Sequence, residues 1–492
     1  MACLRLIDRL TDRGGADRVD LYLVEKSATL GAGVAYGTTE DGHLLNMRAA
    51  TMTLDVDRPE DFVTWLGDEA GLRGAQTGDA YIPRWLFARY LRHRLNEGLE
   101  KGTRAGLGIT VLTAAVSDCD LRDGRVVLRA SQLLPPFDYV VLCPGDLPST
   151  HYQEFRLHPR YLNSPWQEGG VSVLPPTARV GILGAALTAV DVLISLEAQG
   201  HRNEAVCFSR RYPFPTVQPR TYTPHTIRYL TRQRLAQQTD GYRRYLGLAE
   251  VGALFRAELE QELGTTIAWK QVLQCPQGDP LEGLRADIAR AGAGAVRWYE
   301  VLDATAGLVP HLWHHMRYEA KTEFLDRYQG LWNHYRHPMP LVNAVRMVQL
   351  GASGRLRMVP RVKAVSANTR GGFDVWYQDS WGQDTAQIRS EAVDYLINAT
   401  GTGLNAWLLD STLIRNMLRR GLLRAHPLGG IDVDFQTLRV RFEDGQLCDQ
   451  VFFLGPLTRG VHFYTNSIET NLTNAVDLSA HLASALTEPV LL

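Results

Sequence analysis

The segment Arg179-Val-Gly-Ile-Leu183, followed by Gly184-Ala-Ala-Leu-Thr188, decides the fold predicted for this chain. An apolar run leads into a turn of small residues, a helix-forming stretch follows, and a second apolar run ends at Ser209-Arg210-Arg211. This order of strand, tight turn, helix and strand is typical of a dinucleotide-binding unit in a parallel sheet. Gly184 permits the sharp turn, and Ala186 leaves the backbone open to an approaching pyrophosphate.

The start of the predicted helix should bind phosphate, because its free N–H groups and its dipole attract anions. The residues predicted to hold the pyrophosphate are Gly184, Ala186, Leu187 and Thr188. At the end of the second strand, an acidic residue would bind a ribose 2′-hydroxyl, whereas Ser209, Arg210 and Arg211 suit a 2′-phosphate. The sequence therefore favours NADP(H) over NAD(H). An ordinary buried turn in a parallel sheet is the alternative for the motif taken by itself.

A second unit of the same kind opens the chain, but no strand and no glycine turn precede its first helix. Ala2 to Leu10 is predicted to be that helix, and Val19 to Val24 an apolar strand that leads into Glu25. Either the translation start is placed about 10 to 20 residues too late, or half of a cofactor site has been lost. We favour the misplaced start, because the other site-forming segments are intact. Upstream DNA that encodes a strand and G-x-G-x-x-G would establish it.

Composition excludes several classes of function. With 492 residues the chain is long enough for two or three domains, and 45% hydrophobic with 21% charged residues is ordinary for a globular protein. A formal net charge of −1 gives no reason to expect nucleic acid or an anionic membrane as partner. No apolar run approaches the roughly 18 residues of a membrane span. The six cysteines lack metal-ligand or C-x-x-C spacing, so we expect a cytoplasmic protein without a dithiol or metal centre.

Two further apolar runs end in glycine, at Leu142-Cys-Pro-Gly145 and at Ile397-Asn-Ala-Thr-Gly401. Strand ends of this kind let the backbone pass close to a cofactor without a side-chain clash. A hairpin is predicted from the run Ile109 to Val116 and the run Arg125 to Ala130. A closing helix is predicted from Asn471 to Leu486, and its start would offer N–H groups to a phosphate.

Residues in the mainly helical middle of the chain allow more than one interpretation. His334, Arg336 and His337 could line a substrate or NADP pocket, although a helix rich in Arg and His is more often a solvated or interdomain face. The aromatic residues at positions 313, 318, 332 and 335 fall at helical intervals, which favours a core stripe over a stacking platform. The histidines at 311, 314 and 315 lack carboxylate or cysteine partners, so no metal site is predicted there.

Short motifs distributed over nearly the full length indicate one protein family. In chain order they are Gly31-Ala-Gly-Val-Ala-Tyr36, Leu44-Leu-Asn-Met47, Pro83-Arg84, Asn163-Ser-Pro-Trp166, Gly184 to Asp191, Ser209-Arg-Arg211, Trp332-Asn-His-Tyr-Arg-His337, Ala399-Thr-Gly-Thr-Gly403 and Gly455-Pro-Leu-Thr-Arg-Gly460. Together they resemble the bacterial FAD/NAD(P)-binding proteins related to the flavin-dependent N-hydroxylating monooxygenases. The chain departs from the family pattern in lacking the first glycine fingerprint, in Pro144, and in Ala186 as the middle residue of the second fingerprint.

The resemblance implies an α/β fold with two Rossmann-like dinucleotide-binding domains and a mainly helical insertion. The FAD domain would be discontinuous, formed by residues 1–170 and 385–492, with its first strand and glycine loop missing. The inserted NADP domain would comprise residues 171–221 and 336–384. Residues 222–335 would form the helical insertion and the substrate region.

The resemblance also implies roles for individual residues. Those expected to contact FAD or the crossover beside it are Glu25, Lys26, Gly31, Gly33, Leu45, Asn46, Met47, Val116, Gly145, Thr400, Gly401, Gly455 and Asn471. Glu25 and Lys26 would contact the adenosine end, and Leu45 to Met47 the isoalloxazine. Asn46 is the candidate catalytic residue, because a polar side chain within an apolar run needs a partner, which a flavin edge could supply.

The activity implied is that of a flavin-dependent oxidoreductase, namely an FAD-dependent monooxygenase that consumes NADPH and dioxygen. Its substrate would be a small molecule, with hydroxylation at an amine or amino acid nitrogen. The first alternative is an NAD(P)H-dependent flavoprotein reductase or dehydrogenase that does not activate oxygen. The second is a noncatalytic nucleotide-binding protein. The cofactor motifs are common to these alternatives, and the substrate and the oligomeric state stay open.

Overall fold

The computed structural model describes residues 1–487 except 14–15, 28–29, 73–76, 148–150, 167–168, 274–277, 382–386 and 402. The described residues contain fifteen strands: β1 (Asp20–Glu25), β2 (Gly108–Thr113), β3 (Val116–Arg122), β4 (Arg125–Ala130), β5 (Val140–Leu142), β6 (Tyr161–Leu162), β7 (Val180–Leu183), β8 (Ala205–Phe208), β9 (Leu356–Val359), β10 (Val362–Ala367), β11 (Phe373–Gln378), β12 (Ile388–Val393), β13 (Tyr395–Asn398), β14 (Arg439–Arg441) and β15 (Leu447–Phe453).

The α-helices of the same residues are α1 (Ala2–Arg13), α2 (Gly33–Tyr36), α3 (Asp61–Asp68), α4 (Arg84–Arg104), α5 (Leu187–Ala198), α6 (Arg232–Gln238), α7 (Leu248–Leu263), α8 (Trp269–Val272), α9 (Pro280–Gly292), α10 (Trp298–Ala304), α11 (Val309–His314), α12 (Tyr318–Arg327), α13 (Gln329–Arg336), α14 (Leu341–Ala352), α15 (Thr412–Arg419), α16 (Arg459–His462) and α17 (Ile468–Thr487). The fold is therefore mixed α/β, as the sequence predicts. No helix in this part of the chain is long and apolar enough to cross a membrane.

A five-stranded parallel sheet in the order β6-β13-β7-β8-β9 contains the strand that opens the segment Arg179 to Arg211. All residues of β7 and β8 are buried, because elements pack on both faces of a parallel sheet. Helix α5 connects these two strands, and every residue from Ala189 to Leu196 is buried. The structure thus has the strand, turn, helix and strand order that the sequence predicts.

The unit that opens the chain, called the first unit from here on, is built from sheets of two or three strands. Strands β1 and β2 pair in parallel, and β5 pairs in parallel with β15, whose other neighbour is the antiparallel β14. Strands β10, β11 and β12 form a separate antiparallel sheet. Core residues from α1, β5, β15 and α17 form one hydrophobic cluster, which joins the two ends of the chain.

The predicted hairpin is correct in its second strand and wrong in its first. Ile109 lies in β2 and pairs in parallel with Leu21, whereas β4 pairs with β3. The hairpin closes at Asp123 and Gly124, which have φ values of 49° and 73°. Positive φ at both central residues is the geometry of a two-residue turn that matches strand twist, and Asp-Gly is a preferred sequence for it.

The closing helix begins three residues earlier than predicted, at Ile468. Ser467 Oγ accepts a hydrogen bond from the backbone N–H of Thr470 (3.2 Å) and therefore caps the helix start. Asn471 consequently lies inside the first turn of α17, and its amide nitrogen donates to the carbonyl oxygens of Thr465 and Ser467.

Helices α6 to α13 form the helical region that the sequence predicts. A fully buried carboxylate binds the backbone of the loop that opens this region. Glu258 on α7 accepts backbone N–H groups from Arg228, Tyr229 and Leu230, and its Oε1 lies 2.7 Å from His225 Nε2. Desolvation acts to raise the pKa of Glu258, but the hydrogen bonds from His225 and the loop outweigh it and hold the pKa below the ordinary value.

Replacing Glu258 with Gln should lower the free energy of unfolding by about 3 kcal/mol near neutral pH, because charge-assisted hydrogen bonds to the buried loop are lost. Since the folded-state pKa is lowered, the stabilisation is complete above the ordinary pKa of about 4.3 and disappears as the pH falls through the folded value. Chemical denaturation followed by circular dichroism across this pH range measures both effects.

The matched control is Glu319→Gln, which changes an exposed glutamate in the first turn of α12. It should change the stability by less than about 0.5 kcal/mol. A difference between wild type and Glu258→Gln that stays constant down to the lowest pH would contradict the assignment.

Candidate functional site

The turn after β7 requires glycine. Gly184 has φ +115°, and a Cβ at this position would meet the carbonyl oxygen of Ala399 at 2.6 Å. Asn398 Oδ1, at the end of β13, accepts hydrogen bonds from the backbone N–H and the hydroxyl of Thr400. The carboxyl ends of two neighbouring parallel strands therefore bring Gly184 together with Thr400 and Gly401, as expected for a ligand edge of the sheet.

The start of α5 fits a phosphate group. Ala186 occupies the cap position with extended backbone, and no side chain caps the helix. Leu187 and Thr188 form its first turn, so backbone N–H groups at this end point towards the same edge as Gly184. Ala189 is completely buried, which lets the helix lie close to the sheet.

The turn after β8 contains the residues predicted to recognise a 2′-phosphate. Gly184 N–H donates to the carbonyl oxygen of Phe208 (2.8 Å), so the ends of β7 and β8 are adjacent. Ser209 is buried, and its hydroxyl donates to the carbonyl oxygen of Tyr212. This hydrogen bond lies within the turn and stabilises it. Arg210 and Arg211 are exposed at the same edge, and the Arg211 guanidinium lies 5.6 Å from the ring centre of Tyr212.

Strand β1 ends beside the residue predicted to contact adenine. The Glu25 carbonyl oxygen accepts the N–H of Ala114 (2.9 Å), two residues before Val116. Its carboxylate accepts the N–H of Ser27 (3.2 Å), and Lys26 is exposed next to it. Val116 thus lies two residues beyond the backbone hydrogen bond to Glu25, and both residues are half-buried.

A second pair of parallel strand ends brings Gly145 and Gly455 to one edge. Strand β15 continues beyond its pairing with β5, because Leu454 N–H donates to the carbonyl oxygen of Leu142 (3.0 Å). Both glycines have positive φ, and no atom lies within 4 Å of where a Cβ would be at either position. This edge therefore leaves open space next to bare backbone.

Buried polar atoms on α17 provide a test of whether FAD fits the chain. Thr470 Oγ1, Asn471 Oδ1 and Asn474 Nδ2 are buried and have no hydrogen-bond partner among the described residues. Buried polar atoms are almost always satisfied, so such a cluster indicates a polar ligand. With the open backbone at Gly33 and Gly455, these atoms fit the FAD that the family resemblance implies.

The segment Leu45 to Met47 is contacted from two other parts of the chain. Gln218 Nε2 donates to the carbonyl oxygen of Asn46 (2.5 Å), and Tyr299 on α10 donates its hydroxyl to Met47 Sδ (3.8 Å). Leu45 is buried and its N–H donates to the carbonyl oxygen of Ile82 (2.8 Å). The stretch after the paired arginines thus contacts the backbone of the predicted catalytic residue, and the helical region contacts the next residue, Met47.

A buried ion pair joins the first unit to α5. Asp191 is buried within α5, and its carboxylate lies 2.7 Å from Arg84 Nη1 at the start of α4. Desolvation raises the pKa of Asp191, and the Arg84 guanidinium acts against that rise. Nearby, His43 Nε2 lies 2.9 Å from Ser195 Oγ, which donates to the Glu40 carboxylate (2.7 Å).

The sequence patterns do not predict this ion pair. Arg84 and Asp191 belong to motifs that carry the family resemblance, but the resemblance implies no role for either, and no pattern points to Glu40 or Ser195. The available signal was the single acid within an otherwise apolar stretch, Val190-Asp-Val-Leu-Ile194. Such a residue is rarely buried without a cation.

The Arg- and His-containing end of α13 faces the interior. His334 and Arg336 are buried, so the interpretation as a solvated face is wrong for these two residues. The Arg336 guanidinium lies 3.4 Å from the Asp303 carboxylate and 4.7 Å from the ring centre of Tyr464. The interdomain interpretation stays open for this helix end.

Comparison with known proteins agrees with this geometry. Residues 1–147 match a family model described as FAD-NAD(P)-binding. The match confirms the predicted cofactor class for the first part of the chain, FAD with a nicotinamide dinucleotide. No curated protein sequence matches the chain significantly.

Solved structures show the same fold over almost the whole chain. The reduced form of ornithine hydroxylase from Pseudomonas aeruginosa has a TM-score of 0.57 at 15% identity, and 99% of this chain and 97% of that chain are covered. L-lysine 6-monooxygenase from Pseudomonas syringae gives 0.59 at 15% identity, with 99% and 96% covered. An ornithine N-hydroxylase from Kutzneria sp. 744 gives 0.52 at 14% identity, with 99% and 96% covered. The predicted family resemblance is thus confirmed, with likeness to these enzymes at the level of the fold.

Replacing Asp191 with Ala should lower the free energy of unfolding by about 3 kcal/mol or more, because the largely buried Arg84 loses its counter-charge. Chemical denaturation measures the change. The control is Asp138→Ala, which removes the partner of Arg125 in an exposed pair and should cost about 1 kcal/mol or less. Equal losses for the two variants would show that the Arg84–Asp191 pair does not join the two units.

Proposed function

We propose that this chain is an FAD-dependent monooxygenase that consumes NADPH and hydroxylates the nitrogen of an amine substrate. One observation supports it above the others: Gln218 and Tyr299 both contact the segment Asn46–Met47. A hydride donor, a flavin and a substrate must meet at one place, and these contacts connect the elements expected to hold each of them. The fold shared with hydroxylases of ornithine and lysine supports an amine as the target.

The proposed cofactor contacts lie along the two sheet edges described above, the edge with Gly145 and Gly455 for FAD and the edge with Gly184 for NADPH. Glu25, Lys26 and Val116 would hold the adenosine end of FAD, and four glycines with positive φ would lie along its phosphates and ribityl chain: Gly31, Gly33, Gly145 and Gly455. Gly184, Ala186, Leu187 and Thr188 would hold the pyrophosphate of NADPH. When bound, FAD supplies the hydride acceptor and the oxygen chemistry. The chain contributes orientation and the exclusion of water, and Asn46 would contact the flavin edge.

The proposed domain division keeps residues 1–170 and 385–492 for FAD, residues 171–221 and 336–384 for NADP, and residues 222–335 for the helical insertion. Strands β6 and β13 come from the two FAD-assigned segments and together form one edge of the sheet that contains β7. These strands are then the crossovers between the two cofactor domains, which explains why Thr400 and Gly401 lie beside Gly184.

The test of function begins with the absorption spectrum of the purified chain after incubation with FAD. NADPH oxidation is then followed with a panel of amines, with peroxide release and hydroxylated product measured together. Product formation coupled to NADPH oxidation is the expected result. Flavin reduction without an oxygenated product for any amine would favour a reductase, and a colourless protein would favour a noncatalytic nucleotide-binding role.

Replacing Arg210 or Arg211 with Ala should raise the KM for NADPH about tenfold or more, because a charge-assisted contact with the 2′-phosphate is lost. The KM for NADH, which lacks that phosphate, should not change. Steady-state NAD(P)H oxidation measures both constants. Arg202→Ala is the control, since it removes an exposed arginine just before β8, at the opposite edge of the sheet. An equal loss with both nucleotides would argue against recognition of the 2′-phosphate.

A further inference from the structure

The helical region surrounds a large cavity of about 890 Å³. Helices α7 to α13 and the stretch from Pro213 to Val217 contribute to its walls. Aromatic side chains that line it include Phe255, Trp298, Trp313, Phe324, Trp332 and Phe463. Pockets of roughly 300 to 1,000 Å³ with apolar walls bury most of a drug-sized ligand, and a free diamino acid would fill only part of this one.

Charged groups lie at the rim of the cavity. Of the lining residues that the structure describes, Arg256, Asp279, Arg290 and Glu323 are exposed, and Asp287 is half-buried and paired with Arg290. No charged residue in this described lining is buried. Away from this rim, a free amino acid would carry an ammonium and a carboxylate into walls that offer no buried counter-charge, which is strongly unfavourable. The walls therefore favour an uncharged, apolar group.

One polar side chain within the wall has unused hydrogen-bonding capacity. His334 is buried, and desolvation lowers its pKa to about 4, so its imidazole is neutral at physiological pH. The ring bonds to the backbone of Phe214, whereas Nδ1 has no partner among the described residues. With Nε2 as the donor to Phe214, Nδ1 is an acceptor and can receive one N–H or O–H group.

The cavity adjoins segments assigned to both cofactors. Trp313 donates its indole N–H to the carbonyl oxygen of Gly460 (2.9 Å) and stacks on Phe463 with ring centres 4.6 Å apart. Trp298 lines the cavity, and its neighbour Tyr299 donates to Met47. The cavity therefore borders α10, the helix whose Tyr299 contacts the segment proposed to contact the isoalloxazine.

We propose that this cavity binds the apolar body of a small molecule, an aromatic or long aliphatic group that carries one uncharged hydrogen-bond donor received by His334 Nδ1. The identification of this ligand as the hydroxylated substrate rests on the proposed function. The substrate class is then an amine whose bulky apolar body fills the cavity while its amino nitrogen lies outside the apolar walls, in place of a free diamino acid.

Calorimetric titration of the full chain with four probes tests the binding site without turnover. 1-Naphthol has an apolar body with one donor, naphthalene has no donor, 1-naphthoate is charged, and ornithine is a polar amine. We expect 1-naphthol to bind at least tenfold more tightly than 1-naphthoate, with no detectable competition from ornithine. Binding of 1-naphthoate or ornithine as tight as that of 1-naphthol would overturn the proposal.

Two sets of variants locate the site. His334→Phe should weaken 1-naphthol binding about three- to tenfold, the value of one neutral hydrogen bond, and leave naphthalene binding unchanged. Gly252 and Gly283 line the cavity and have open space at the Cβ position, so Gly252→Phe and Gly283→Phe should each weaken both probes at least tenfold. Gly292→Phe, which also has open space and lies outside the lining on the same helix as Gly283, is the matched control.

The outcomes separate this proposal from the proposed function. Equal binding to wild type and to both cavity variants would overturn the cavity assignment and leave the monooxygenase proposal standing. Apolar binding that follows the expected pattern, in a chain that hydroxylates no amine, would support the site and count against the function alone. Loss of 1-naphthol binding in Gly292→Phe to the same extent as in Gly283→Phe would also overturn the assignment.

Discussion

The ion pair between Arg84 and Asp191 constrains the geometry on which the proposed site depends. Removing one partner would leave a charge without compensation inside the protein, which costs several kcal/mol, so α5 and the start of α4 must remain together. Arg84 also donates to the carbonyl oxygen of Leu44, the residue before the segment Leu45–Met47. The position of the proposed flavin-edge segment is thereby tied to the helix that begins at the proposed nicotinamide phosphate site.

A single rigid helix sets the spacing between these two features. Asp191 lies four residues after Leu187, which corresponds to about 6 Å along the axis of α5. The N-terminus of α5 faces the edge with Gly184, and its middle binds the first unit through Asp191 and Ser195. A dinucleotide held at the edge with Gly184 would therefore bind the same helix that holds Arg84, the residue that bonds to the backbone of Leu44.

The sequence predicted features that arise from local backbone requirements. Gly184 was recognisable because the turn needs positive φ and a close approach to the next strand, and the apolar runs of β7 and β8 have the pattern of buried parallel strands. The first hairpin strand was mispredicted because the apolar run at Ile109 can pair with either β1 or β4. Only the tertiary packing determines which of these two pairings forms. The Arg84–Asp191 ion pair could not be predicted for a related reason. Its two residues lie far apart in the chain, and only the tertiary packing brings them together.

The aromatic residues of the helical region show that a helical pattern can predict burial correctly and still not predict a cavity. A stripe at helical spacing predicts burial, and Trp313 is indeed buried, whereas Tyr318 is exposed. Periodicity reports which face of a helix turns inward, but not whether the opposing helices fill the space between them. Here they do not, since Trp313, Trp332 and Tyr335 all line the cavity. An apolar ligand in this cavity would make dispersion contacts with these aromatic walls, which is the interaction that the proposed binding would use.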